Sequence, residues 1–140
     1  MYFDVAKEWT IIRPPSCRNA ALLLAECICL LRERHFQPGK LPPVLDMDSP
    51  SPDDHVIIIN CDEGSRKKSY SWRAGESRLE IYGHAVESVD CAAGDFLDAL
   101  GVARAEDGGY TLPAGEGGGK YRLARTHAYR QEGHAAQGGI

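Results

Sequence analysis

The segment Asn60-Cys61-Asp62-Glu63-Gly64-Ser65 offers the clearest concentration of groups that could do chemistry. It directly follows Val56-Ile57-Ile58-Ile59, an unbroken β-branched run. Open α/β sheets place ligand-binding groups at the ends of such strands. Asp62 and Glu63 could there hold a metal or accept hydrogen bonds from sugar hydroxyls, with His84 as a third polar group. As neighbours in a turn, two carboxylates more often serve only to solvate it. Aromatic residues supply a second candidate surface. Tyr70, Trp72 and Tyr82 fall on two alternating segments and are expected to share one face, and exposed aromatic faces stack well on sugar rings. The candidate ligand contacts are therefore Asp62, Glu63, Trp72 and His84.

Other chemistries lack their parts. A catalytic nucleophile needs an adjacent base, and that base needs an orienting group. No Gly-x-Ser-x-Gly is present, and no cysteine sits in a recognisable histidine-bearing context. The five histidines (His35, His55, His84, His127, His134) are scattered, with no His-x-x-x-His pair. Solvation is the expectation for His127 and His134. The string Gly115-x-Gly117-Gly118-Gly119-Lys120 lacks the glycine spacing, the Ser or Thr after Lys and the preceding buried strand of a phosphate loop. No catalytic residue, cofactor or metal site is expected. Five cysteines without a Cys-x-x-Cys pair read as buried thiols, not as a disulfide frame or zinc site.

The elements that position these groups can be read from periodicity. Trp9-Thr10-Ile11-Ile12 is a short β-rich run stopped by Pro14-Pro15. Ser16 is a candidate cap for a helix over about Arg18 to His35, whose apolar positions Ala20, Leu24, Cys27, Ile28 and Leu31 recur at helical spacing. Pro42 to Met47 is a brief strand placed at an edge by its prolines, and Val56 to Ile59 an interior strand. Ser69 to Arg73 and Arg78 to Tyr82 alternate as a hairpin around residues 74–77. Val86, Val89, Phe96, Leu97 and Leu100 then mark a second helix, which Gly101 is placed to end. Tyr110 to Pro113 and Tyr121 to Ala124 read as a marginal hairpin, and the stretch from Arg130 as a polar tail. The expected fold is α+β, a two-layer sandwich of a mixed β-sheet with two helices on one face. It divides into a domain over 1–105 and a Gly-rich extension over 106–140.

Composition bounds the rest. A chain of 140 residues, 43% hydrophobic and 26% charged, has the proportions of an ordinary globular domain. A net charge of −4 gives no drive toward nucleic acid or an anionic membrane. The longest basic cluster, Arg66-Lys67-Lys68, reads as a solvated loop. Ala20 to Leu31 is interrupted by Glu26 and shorter than the ~20 residues of a spanning helix. The first nine residues lack the basic and apolar regions of a signal peptide. The expectation is a cytoplasmic protein if the chain is complete, or a segment of a longer exported one.

The order of elements and several strings resemble the small α/β domain that precedes the catalytic barrel in alpha-glucuronidases, beta-N-acetylhexosaminidases and related polysaccharide-degrading proteins. Trp9 to Ile12 leading to Ala20–Leu31 is similar to that module's opening strand and helix. Val56 to Asn60 resembles its Ile-x-Ile strand, and Tyr70 with Leu79-Glu80-Ile81-Tyr82-Gly83 its hairpin. Asp95-Phe96-Leu97-Asp98-Ala99-Leu100-Gly101-Val102 resembles its closing Phe-Leu-Glu-x-Leu-Gly-Val string. His84-Ala85-Val86-Glu87-Ser88 stands where the family has a glycine-rich turn. The resemblance implies a non-catalytic accessory domain beside a catalytic domain or partner protein, with carbohydrate nearby. The family's catalytic carboxylates lie in the barrel, so none carries over. Two other readings remain open: a stand-alone α/β ligand-binding protein or enzyme using the end of the 56–59 strand, and a homo-oligomeric module that pairs its edge strands.

Overall fold

The computed structural model describes residues 1–36, 41–47, 55–62 and 69–131. Glu63, the basic cluster at 66–68 and His134 therefore lie outside the described residues. The elements, in chain order, are β1 (Tyr2–Asp4), β2 (Thr10–Arg13), a 3₁₀ turn (Pro15–Cys17), α1 (Arg18–Glu33), β3 (Val44–Asp46), β4 (Val56–Cys61), β5 (Tyr70–Ala74), β6 (Arg78–Gly83), α2 (Val86–Leu100), β7 (Ala103–Arg104), β8 (Tyr110–Thr111), β9 (Lys120–Arg122) and β10 (His127–Arg130).

Six strands form the main sheet in the order β10-β5-β6-β4-β2-β3. β3, β2, β4 and β6 run parallel, while β5 is antiparallel to both β6 and β10. The sheet is thus mixed, with the proline-flanked β3 and the C-terminal β10 at its edges. Register aligns Ile11, Ile57, Leu79 and Ala74 in one row and Ile59, Ile81 and Trp72 in the next. Side chains alternate along each strand, so both rows share one face. All seven residues are buried, and both helices cover that face.

The helices pack as their periodicity requires. α1 buries Ala20, Leu24, Cys27, Ile28 and Leu31, and α2 buries Val89, Ala92, Phe96, Leu97 and Leu100. Gly101 closes α2 with φ of +94°, a left-handed conformation that an L side chain rarely adopts, and Val102 N donates to Leu97 O at 2.9 Å. Ser16 does not cap α1. Cys17 N donates to Pro14 O at 3.0 Å, closing the 3₁₀ turn, and Cys17 occupies the cap position without a side-chain capping bond.

The C-terminal quarter differs from the expected marginal hairpin. Tyr110–Thr111 pairs with Ala103–Arg104, and Lys120–Arg122 pairs instead with Tyr2–Asp4 at the opposite end of the chain. The physical reason is burial: Tyr121 and Leu123 are apolar enough to join the core, together with Phe3 and Trp9 stacked at 4.6 Å. His127 is exposed, as expected, but His127–Arg130 forms an edge strand on β5, so the chain is still ordered at Arg130, where the polar tail is expected to begin. Among the described residues no helix is long and apolar enough to cross a membrane.

Candidate functional site

The carboxyl ends of β4 and β6 stand side by side, with Asn60 opposite Tyr82 and Cys61 opposite Gly83. Asp62 N extends the ladder by donating to Gly83 O at 2.9 Å. Alternation then places Asn60, Asp62, Tyr82 and His84 on the face that the helices leave open. His84 Nδ1 lies 3.5 Å from Asp62 Oδ2 and 3.5 Å from Tyr82 Oη. The Tyr82 and His84 rings meet edge to face, with centroids 5.1 Å apart.

Two of the polar groups named from sequence, Asp62 and His84, are thus brought together, and Tyr82 joins them. The contacts are long for hydrogen bonds, and the Asp62 side chain is 55% exposed. As an orienting pair, Asp62 and His84 could hold an imidazole in place beside a ligand. Acid–base work would need a substrate proton within reach of that ring. Among the described residues no group of three or more His, Cys, Asp or Glu gathers in a way that could hold a metal ion.

Trp72 is placed elsewhere. It lies 2% exposed beneath α2, edge to face with Phe96 at 5.4 Å, and its Nε1 donates to Asp95 Oδ2 at 2.8 Å. The expected shared face of Tyr70, Trp72 and Tyr82 is therefore divided. Trp72 aligns with Ile81 on the helix side, whereas Tyr82 aligns with Ser71 on the open side. A register offset of one residue sends a side chain to the opposite face. The bond from Gly75 N to Arg78 O at 2.7 Å closes the turn that sets this register.

One cavity adjoins Tyr82, and others lie elsewhere on the domain. The first, of about 470 Å³, lies on the open face over β5, β6 and β10, lined by Ser71, Arg73, Glu80, Tyr82, His127 and Tyr129. A second, of about 380 Å³, lies at the amino end of β4 among Asp4, Lys7, His55, Glu76 and Lys120. A third, of about 260 Å³, is an apolar recess formed by Leu23, Leu97, Val102 and Tyr110. The first holds residues that sequence reasoning missed. His127 and Tyr129 sit on a strand whose partner among the described residues is more than fifty residues earlier in the chain, so no local pattern marks them.

The five cysteines form no disulfide. Burial pushes the Cys27 thiol up from 9.0 to about 11, with the Glu26 charge adding to the shift and Arg104 opposing it. A thiol held neutral in this way is a poor nucleophile and a poor metal ligand.

No family model matches the chain, and no curated protein matches it in sequence. Among solved structures the chain is similar to a GH20 exo-β-N-acetylglucosaminidase from Vibrio harveyi, solved in complex with N-acetylglucosamine. The TM-score is 0.50 at 11% identity, over 94% of this chain and 16% of the enzyme. An inactive mutant of that enzyme matches at a TM-score of 0.48 and 12% identity, again over 94% and 16%. The chain thus spans 16% of the length of the enzyme it matches. At this identity the likeness is one of fold: the α+β sandwich of this chain has a counterpart within a glycoside hydrolase.

Proposed function

We propose that this chain is a non-catalytic domain that packs beside the catalytic domain of a glycoside hydrolase, or beside a protein partner, and shapes one side of a carbohydrate cleft. The observation that carries this reading is the fold likeness to a segment amounting to 16% of a GH20 enzyme. Fold alone does not assign an activity. In support, Trp72 is committed to Asp95 in the core.

Two measurements test the reading together. The native polypeptide, sized by immunoblot, should be several times longer than this chain, and the isolated chain should not hydrolyse an aryl β-N-acetylglucosaminide. A native product no longer than this chain would overturn the accessory role.

The approach of Asp62, His84 and Tyr82 at the strand ends favours a second reading, a small α/β protein that binds a ligand or acts on it at that rim. Turnover by the isolated chain, lost in His84→Ala, would establish it in place of the first.

A further inference from the structure

The open face of the sheet carries two tyrosine walls. Tyr129 on β10 is directly opposite Ser71 on β5, and Ser71 is directly opposite Tyr82 on β6. All three project from the same face, with the smallest side chain in the middle. Strands lie about 4.8 Å apart, so the two tyrosines stand about 9.6 Å apart across the Ser71 floor. A saturated ring stacked between two aromatic faces needs about 3.5–4.0 Å on each side, close to 7–8 Å in all. The row below contains His127, Arg73 and Glu80, again aligned across the same three strands. The cavity over these six residues measures about 470 Å³, within the roughly 300–1,000 Å³ of small-molecule sites.

Each wall is braced from outside the groove. The edge-to-face contact with His84 holds Tyr82, and Asp62 stands behind that imidazole. Tyr129 is 60% exposed, and its hydroxyl donates to Gln131 Oε1 at 3.3 Å. Glu80 already accepts from Arg78 Nε at 2.8 Å through Oε1. The Arg73 side chain has no hydrogen-bond or ion-pair partner among the described residues. The row thus offers a guanidinium, a carboxylate with one oxygen already held by Arg78, and an imidazole, a mixed set of donors and acceptors. That combination suits a ring with apolar faces and a rim of hydroxyls.

The geometry points to a binding site for a neutral carbohydrate, with one pyranose ring held between Tyr82 and Tyr129 above Ser71 and its hydroxyls met by Arg73, Glu80 and His127. This sharpens the carbohydrate side of the proposed function but does not rest on a neighbouring domain. The groove belongs to this chain whatever the length of the native polypeptide.

The test is amide chemical-shift mapping by NMR on the isotopically labelled chain, with cellotriose and chitotriose as neutral probes and trigalacturonate as the acidic one. At least one neutral trisaccharide should give saturable shifts at millimolar concentration, centred on Ser71, Arg73, Glu80 and Tyr129. Loss of one stacking wall in Tyr129→Ala should weaken binding about tenfold. Ser71→Trp should block the groove, and both variants should keep the wild-type unfolding midpoint, since both side chains project from the open face. The proposal is overturned if neither neutral trisaccharide gives saturable shifts. It is equally overturned if shifts centre elsewhere, if Tyr129→Ala binds as wild type, or if trigalacturonate binds in preference.

Discussion

The Trp72 indole donates to Asp95 Oδ2 at 2.8 Å, tying the hairpin to the middle of α2. Arg125 Nη2 completes the arrangement by bonding Asp95 Oδ1 at 2.5 Å, with its Cζ 5.9 Å from the centre of the Trp72 ring. One carboxylate therefore satisfies a buried N–H and a half-exposed guanidinium. Asp95→Ala leaves the indole N–H buried without an acceptor, and a loss of about 2–3 kcal/mol is expected. Asp95→Asn keeps an acceptor for Trp72 and should lose less. Arg125→Ala should lose least, because the ion pair is partly screened by solvent. Urea midpoints at unchanged slope measure the series, and equal losses in all three would disprove the ranking.

Gly83 sits where the end of β6 passes the first turn of α2. A Cβ added there would lie 2.6 Å from Val89 N and 2.8 Å from Val89 Cγ2. Helix backbone cannot move aside as a flexible side chain can, so Gly83→Ala is expected to lose about 2–3 kcal/mol by overpacking. Gly94, inside α2, would have nothing within 4 Å of such a Cβ. Gly94→Ala is therefore expected to gain about 0.5–1 kcal/mol by restricting the unfolded chain. Melting temperatures of the two variants should move in opposite directions.

Much of this architecture is written in local patterns. The recurrence from Ala20 to Leu31 and from Val86 to Leu100 marks both helices, Gly101 marks the end of the second, and the run from Val56 to Ile59 marks an interior strand. Asp62 and His84 are legible as polar residues that follow strand segments, but the side-by-side placing of β4 and β6 is not. The division of Trp72 from Tyr82 is not, because composition does not reveal a one-residue register choice. β9 and β10 are harder still. They are three and four residues long, and their pairings span the chain, with Tyr2 opposite Arg122 and Ser71 opposite Tyr129. Local periodicity carries no information about such distant partners, so half of the open-face groove is invisible until the chain has folded.

The Cys27 thiol gives a pH dependence with a defined sign. Its value rises from 9.0 to about 11 on folding, so between these limits the unfolded chain has released a proton that the folded chain retains. Stability should therefore be fully present below pH 9 and fall as the pH climbs toward 11. Burial also raises the hydroxyls of Tyr70 and Tyr121, which act in the same direction. The diagnostic quantity is thus the difference between wild type and Cys27→Ala, which should narrow across this range. In native alkylation at moderate pH the exposed Cys91 should react well before Cys27, with the order read by mass spectrometry. Early labelling of Cys27 would show that its thiol is not held neutral by burial.

Tyr121 decides whether residues 106–131 are an appendage or part of the domain. Its ring is buried, its hydroxyl lies 2.7 Å from His35 Nε2, and its strand pairs with β1. Further backbone bonds run from Leu123 N to Met1 O at 3.0 Å, from Ala124 N to Ala99 O at 2.8 Å and from Ala74 N to Thr126 O at 2.8 Å. Removing this segment would open β5 as an edge, leave β1 unpaired and uncover Phe3. A chain truncated after residue 105 is therefore expected to lose cooperative unfolding. Point variants grade the same claim without deleting the segment. Tyr121→Phe removes only the hydroxyl and should lose about 1 kcal/mol, whereas Tyr121→Ala empties a buried ring site and should lose about 3–5 kcal/mol. An appendage would give the opposite pattern: a truncated chain with the wild-type midpoint and a Tyr121→Ala loss near zero.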